Sequence, residues 1–129
     1  MLALSSFDYA VVRVVPRVER GEFVNAGVIL FCLQLDFLAA RVAVDEPLLR
    51  ALWPEADLDL VRNHLEAIPR ICAGRPDAGP IARLSLRERF HWLVAPRSTI
   101  LQVSAVHSGL CDQPERALHE LFEQMVAVP

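Results

Sequence analysis

The sequence contains no lysine, so all 13 of its basic residues are arginines. The simplest explanation of this bias is a genome rich in GC codons. No run of basic residues occurs, and the formal net charge at pH 7 is -3. Because non-specific binding to nucleic acids depends on neutralising several phosphates, this charge balance disfavours nucleic-acid binding.

Cysteines and long apolar runs are also scarce. The three cysteines, Cys32, Cys72 and Cys111, are far apart and form no CxxC pair, which predicts reduced and mostly buried thiols in a cytoplasmic protein. The apolar run over residues 26–33 is far shorter than the roughly 20 residues that a helix needs to cross a bilayer. The N-terminal segment has no basic residue before its apolar stretch, which argues against a signal peptide.

What the chain has in excess is apolar side chains. Hydrophobic residues make up 53% of its 129 residues, and the mean hydropathy is +0.32. This length is typical of one domain, and we expect residues 1–129 to form it. The high apolar content predicts either a dense core or an apolar surface that meets a partner.

Three β-strands are predicted first. Segments 7–16, 22–33 and 37–44 are rich in β-branched residues and are joined by short turns, which favours an antiparallel meander. Residues 98–105 alternate between apolar and polar side chains and predict a fourth strand. The glycine within 107–111 indicates a turn into the last helix.

Helical spacing and capping signals predict the helices. They are a short helix after Glu46, a longer helix over 58–74, a helix opened by a capping box of Ser85 and Glu88, and a last helix that begins near Pro114. The predicted fold class is therefore α+β. A mainly antiparallel sheet of about four strands, in the order β-β-β-α-α-α-β-α, has its helices packed on one face.

Strand alternation divides the residues of the first three strands into two sets. The even-numbered positions are all apolar: Ala10, Val12, Val14, Val24, Ala26, Val28, Leu30, Cys32, Leu38, Ala40, Val42 and Val44. The odd-numbered positions include Arg13, Asn25 and Arg41 among aromatic residues such as Tyr9. This pattern predicts one wholly apolar face, unless a β-bulge, for instance at Gly27, shifts the alternation.

The polar sheet face is the predicted binding surface. Its candidate residues come from the first strands and from the segment 97–107: Tyr9, Arg13, Asn25, Arg41, Arg97, Gln102, Ser104 and His107. An arginine guanidinium offers a planar fork to a carboxylate or a phosphate. The alternative is an ordinary solvated sheet face, which is the norm in antiparallel sheets. The sequence leaves open whether this face is exposed or covered.

No recognisable catalytic or metal-binding motif occurs in the sequence. A nucleophilic Ser104 or Cys111 assisted by His107 is a weaker hypothesis, because no carboxylate stands at a spacing typical of a triad. His119 and Glu123 are four residues apart on a predicted helix, but zinc sites use three or four ligands. The sequence therefore predicts no catalytic residue, no metal and no cofactor.

Two long segments carry a likeness to a known family: YAVVRVVPRVERGEFVNAGVILFC and ERFHWLVAPRSTILQVSAVHSGLCDQPERALHELFEQMV. They resemble the bacterial family catalogued as domain of unknown function 3037. The family pattern favours proline around two positions where this chain has Val103 and Ala105. The resemblance implies a stand-alone bacterial domain with gene neighbours that encode kinase-like proteins. It implies no established activity, catalytic residue or cofactor.

These features predict a non-catalytic protein-binding or interaction module of a bacterial cytoplasmic protein. The expected partner is a protein, either a second copy of the chain or a kinase-like neighbour, and not a membrane. The alternative is a small enzyme or a binder of an anionic metabolite. It would use Arg13, Arg41 and Arg97 to bind a phosphate or carboxylate, with His107 as acid or base.

Overall fold

The computed structural model of the chain describes residues 3–126. The strands of its sheet are β1 (Ser5–Val14), β2 (Val24–Cys32), β3 (Phe37–Val42), β4 (Leu101–Val103) and β5 (His107–Cys111). The helices are α1 (Glu46–Leu52), α2 (Leu58–Cys72), α3 (Leu86–Leu93) and α4 (Pro114–Met125), with short 3-10 turns at Pro76–Ala78 and Pro80–Arg83. Within this part of the chain, no helix is long and apolar enough to cross a membrane.

The predicted α+β class and the mainly antiparallel sheet are confirmed. The strand order is β3-β2-β1-β4, and β5 pairs with the other half of β1. The segment 107–111, predicted to be a turn, forms this fifth strand. Gly109 serves close packing there, because a Cβ atom at this position would lie 2.5 Å from Cζ of Phe7.

A β-bulge in β2 changes the face to which its residues point. Val12 pairs with Gly27 and Arg13 pairs with Asn25, so that β2 has one extra residue, Ala26, between these pairs. Even-numbered residues of β2 before the bulge therefore point to one face of the sheet, and those after it point to the other face. The prediction that all even-numbered residues share one face is wrong for β2 for this reason.

The sheet consequently has an apolar core on each face. On one face, residues such as Val24 and Phe31 pack against α1, α2 and α3. On the other face, Val28, Leu30 and Cys32, which are fully buried, belong to a core that includes residues of α4. The expected packing of all helices on one face is corrected accordingly. Helix α4 covers the second face because the bulge turns three apolar residues of β2 towards it.

Candidate functional site

Four of the predicted binding residues lie on the sheet face that packs against α4. They are Tyr9, Arg13, Asn25 and Arg41. Tyr9 packs against the core on that side. Nδ2 of Asn25 donates a hydrogen bond to the carbonyl oxygen of Met125 at 3.0 Å. This bond satisfies a carbonyl group in the last turn of α4, which would otherwise lack an intrahelical partner. The residue therefore helps to hold α4 on the sheet.

The two strand arginines lie against aromatic rings. The guanidinium carbon of Arg13 is 4.2 Å from the ring centroid of Phe23, and that of Arg41 is 5.0 Å from the ring centroid of Phe122. Nη1 of Arg41 also forms a hydrogen bond with Nδ1 of His119 on α4. These cation–π contacts give both arginines a structural role on the sheet face that packs against α4.

The remaining predicted residues are spread along the edge of the sheet. His107 pairs with Tyr9, and the centroids of the two rings are 5.5 Å apart. Gln102 pairs with Arg13, and its Nε2 donates to the carbonyl oxygen of Thr99 at 3.0 Å. The structure thus places Arg13 between Asn25 and Gln102 and places Tyr9 beside His107, but it does not gather the predicted residues in one cluster.

Ser104 joins β4 and β5 to β1 where the strand pairing is interrupted. Its backbone nitrogen donates to the carbonyl oxygen of Val11 at 2.9 Å, and its Oγ accepts from the nitrogen of Val11 at 2.8 Å. Its hydroxyl donates to the carbonyl oxygen of Ala105 at 2.9 Å. The hydroxyl therefore has a structural use, and among residues 3–126 no hydrogen bond links it to His107.

Removing this hydroxyl is expected to destabilise the fold. In Ser104→Ala, the buried N–H of Val11 loses its acceptor, and we expect the free energy of unfolding to fall by about 1–2 kcal/mol. Urea denaturation followed by circular dichroism measures the change. Ser108→Ala is the matched control, because its hydroxyl donates to Asp8 at an exposed position. An equal loss in both variants would contradict the structural role of Ser104.

The three cysteines are free and buried, as predicted. Burial raises the pKa of the Cys72 thiol to about 12, and burial also raises the pKa of the Cys111 thiol. Because the thiolate is the nucleophile, neither environment activates its sulfur. Within the described residues, no group of three His, Cys, Asp or Glu side chains could hold a metal ion.

An apolar cleft lies between α2, α3 and β4, on the sheet face opposite α4, with a volume of about 260 Å³. We call it the α2–α3 cleft. Its apolar lining consists of Val12, Ala67, Ile68, Ile71, Trp92, Leu93, Leu101 and Val103. Its polar lining consists of Asn63, His64, Arg97, Thr99 and Gln102. An apolar recess with a few polar groups is the usual composition of a binding site.

The cleft exists because two of its walls are incomplete. Ala67 is a small residue on the face of α2 that otherwise carries Ile68 and Ile71. Strand β4 is only three residues long, and its Leu101 and Val103 pack against the core while remaining partly exposed. A larger residue at position 67 would fill the space between the helix and these strand residues.

Arg97 is held at the cleft by the end of α3. Its Nη1 donates to the carbonyl oxygen of Leu93 at 3.0 Å, and its Nη2 donates to that of Trp92 at 2.6 Å. The guanidinium carbon also lies 4.5 Å from the ring centroid of Trp92. Cations are favoured at a helix C-terminus, where carbonyl groups lack intrahelical partners. These contacts fix the position of Arg97, the one arginine among the described residues that line the cleft.

The predicted family is confirmed by comparison with family models. The model of DUF3037, a family of proteins of unknown function, matches residues 9–126. The chain belongs to this family. No curated protein and no solved structure matches the chain.

In this DUF3037 protein, sequence reasoning found two of the polar residues of the cleft, Arg97 and Gln102, and missed the others. Asn63 and His64 lie on the exposed side of an amphipathic helix, where the sequence pattern contains no signal for a cleft. The available signal was Ala67, a small residue beside the apolar stripe of α2. Whether a small residue there leaves a recess depends on how α3 and β4 pack, and the sequence pattern of α2 gives no information about that packing.

A wider groove of about 470 Å³ lies at the C-terminal end of α4, beside Asn25 and Phe122. The DUF3037 chain continues beyond Val126, the last residue that the structure describes. The α2–α3 cleft, which combines an apolar recess with an ordered arginine, is the candidate functional site.

Proposed function

We propose that the chain is a non-catalytic interaction module of a bacterial cytoplasmic protein, and that the α2–α3 cleft receives an apolar side chain of its partner. The observation that carries this proposal is the cleft itself, an apolar recess with polar groups around it. Binding energy at protein interfaces concentrates in such pockets, where an anchor residue is removed from water.

The size of the cleft supports an anchor side chain over a cofactor. Its volume is about 260 Å³. Sites for drug-sized molecules and cofactors span roughly 300–1,000 Å³, whereas a cavity of about 150 Å³ holds benzene. The cleft is therefore suited to one aromatic or large aliphatic side chain with part of its backbone.

Trp92 and Arg97 give the cleft the composition of an interaction site. Trp92 is 42% exposed although it belongs to a helix that packs on the core. Tryptophan and arginine are the residue types most enriched among the positions that dominate binding energy. A partner that covers the cleft would remove the exposed ring of Trp92 from water.

The first partner to test is a kinase-like protein encoded near the gene, which the family resemblance implies. A second copy of the chain is the alternative occupant. Analytical ultracentrifugation of the chain alone distinguishes them, because a partner of a different kind leaves the isolated chain monomeric at micromolar concentration.

Filling the cleft is expected to abolish binding without unfolding the protein. In Ala67→Met, the longer side chain occupies the recess, and cavity filling of this kind stabilises by about 0.5–2 kcal/mol. We expect the neutral peptide N-acetyl-Gly-Phe-Gln-Gly-amide to shift amide resonances of α2, α3 and β4 in the wild type, and these shifts to disappear in the variant. Two-dimensional NMR titration measures both effects.

The matched control is Ala51→Met, which adds the same atoms at an exposed position of α1. This control is expected to retain the peptide shifts and the recovery of the kinase-like partner in a pull-down. A double substitution, Arg13→Ala with Arg41→Ala, tests the α4 side of the sheet in the same assay. Binding that survives Ala67→Met but is lost in the double variant would move the docking surface to that side.

Recognition of a small anionic metabolite is the second candidate function. The presence of Arg97 and Gln102 in the cleft favours it. Thermal-shift measurements with small carboxylates and phosphorylated metabolites test it, because a ligand raises stability according to its concentration relative to its dissociation constant. Stabilisation by a free metabolite at micromolar concentration would favour this function over docking of a partner.

A further inference from the structure

The charge of the α2–α3 cleft differs from that of the chain as a whole. The chain carries a formal net charge of -3, yet no aspartate or glutamate is among the described residues that line the cleft. Its lining includes Arg97, which follows α3, and His64 on α2. A ligand group of negative charge is therefore matched to the cleft, and a positive group is not.

Arg97 is pre-organised to receive such a group. Two of its five N–H donors bond to the carbonyl oxygens of Trp92 and Leu93, which leaves three donors. The contact with the ring of Trp92 further restricts the guanidinium. Because the side chain is ordered before a partner arrives, binding costs less rotamer entropy than it would for a free arginine.

We infer that the partner segment carries a carboxylate next to its apolar anchor, so that Arg97 binds the carboxylate while the anchor fills the cleft. This inference rests on the proposed docking function and adds the chemical class of the partner: a bulky apolar residue adjacent to Glu or Asp. The planar fork of the guanidinium fits the two oxygens of a carboxylate.

A matched series of peptides tests the charge of the partner. N-acetyl-Gly-Phe-Glu-Gly-amide, its Gln analogue and its Lys analogue share the anchor and differ in charge. We expect the Glu peptide to bind about two- to fivefold more tightly than the Gln peptide, as is typical of an ion pair near the surface, and the Lys peptide to bind most weakly. NMR titration at low salt measures the three dissociation constants, and 0.5 M salt is expected to reduce the differences.

Two variants test whether the preference for the Glu peptide depends on the cleft. In Arg97→Met, the Glu and Gln peptides are expected to bind alike, and circular dichroism checks that α3 remains folded without its capping arginine. Asn63→Asp, on the α2 wall of the cleft, leaves the contacts of Arg97 with α3 in place and adds a negative charge to the lining, so the preference for the Glu peptide is expected to disappear. Arg83→Met, at an exposed arginine outside the cleft, is the control that is expected to retain the preference.

The outcomes separate this inference from the proposed function. Equal binding of all three peptides to the wild type, or tightest binding of the Lys peptide, would overturn the acidic partner and leave apolar docking intact. Failure of every peptide to shift the resonances of α2, α3 and β4 would overturn the docking function itself. Free 3-phenylpropionate that binds more tightly than the Glu peptide would identify a small carboxylate as the ligand instead of a protein segment.

Discussion

Phe90→Ala is expected to lower the free energy of unfolding by about 3–5 kcal/mol, which is the usual cost of removing a buried phenylalanine side chain. Phe90 is only 2% exposed and is among the largest fully enclosed side chains of the core. Its ring stacks on that of Phe31, with the centroids 5.1 Å apart. Since small domains are stable by about 5–15 kcal/mol in total, this single substitution removes a large part of the stability.

Chemical denaturation measures the loss, with two controls. Phe90→Leu keeps most of the buried volume and is expected to cost about 1–1.5 kcal/mol, as other changes of shape between large apolar residues do. His91→Ala changes the next residue of α3, which is exposed, and is expected to stay within about 0.5 kcal/mol of the wild type. A loss below 1 kcal/mol for Phe90→Ala would mean that α3 is not held on the sheet by this contact.

The position of Phe90 also connects the core to the candidate site. It lies on α3, two residues before Trp92 and three residues before Leu93, both of which line the α2–α3 cleft. The ring thus fixes one wall of the cleft without taking part in it. We expect Phe90→Leu to retain peptide binding per folded molecule, whereas Ala67→Met loses binding and retains stability. The two variants separate effects on the fold from effects on the site.

Local signals in the sequence were sufficient to predict most of the elements. Ser85 and Glu88 form the predicted capping box, in which Oγ of Ser85 accepts from the nitrogen of Glu88 at 3.2 Å. Such signals depend on neighbours within one helical turn, so that the sequence contains all the information needed. Gly109 shows the limit of this approach. A glycine that favours a turn locally is required here because the ring of Phe7 passes over it.

The candidate site was less predictable because it depends on contacts between distant segments. Arg97 was predicted as a binding residue on the polar sheet face, but it lines a cleft on the other side of the sheet from α4, and Gln102, which pairs with Arg13, reaches that cleft only at the sheet edge. The helix that forms the opposite wall is more than 20 residues away in sequence. The strand alternation used in the prediction is also reversed within β2 by a single extra residue, Ala26.

Gly27→Ala is expected to destabilise the protein by about 3 kcal/mol, at the upper end of the usual cost of overpacking. A Cβ atom at this position would lie 2.8 Å from the carbonyl oxygen of Arg41 and 2.8 Å from Cγ1 of Val42. The carbonyl belongs to the backbone of β3, which pairs with β2 along its length. The neighbouring strand therefore has to move as a whole to make room.

The reason for this lack of space is the bulge. Ala26 and Gly27 lie on β2 opposite Val12 of β1, where an ordinary pair would place one residue. A side chain at position 27 would meet the backbone of β3, so glycine at this position lets β3 stay paired with β2 beside the bulge. The same extra residue turns Val28 and Leu30 towards α4, so that the glycine indirectly permits a core on each face of the sheet.

Urea denaturation of Gly27→Ala and of Gly21→Asn tests this argument. Gly21 lies outside the strands with φ of 76°, and nothing stands within 4 Å of an added Cβ atom. Asparagine tolerates this left-handed backbone, so the control is expected to lose no more than about 1 kcal/mol. Hydrogen exchange is expected to show that Gly27→Ala weakens the β2–β3 pairing before the pairing of β1 with β5. If Gly27→Ala were as stable as the control, β3 would be able to shift without loss of stability, and the bulge would not depend on glycine.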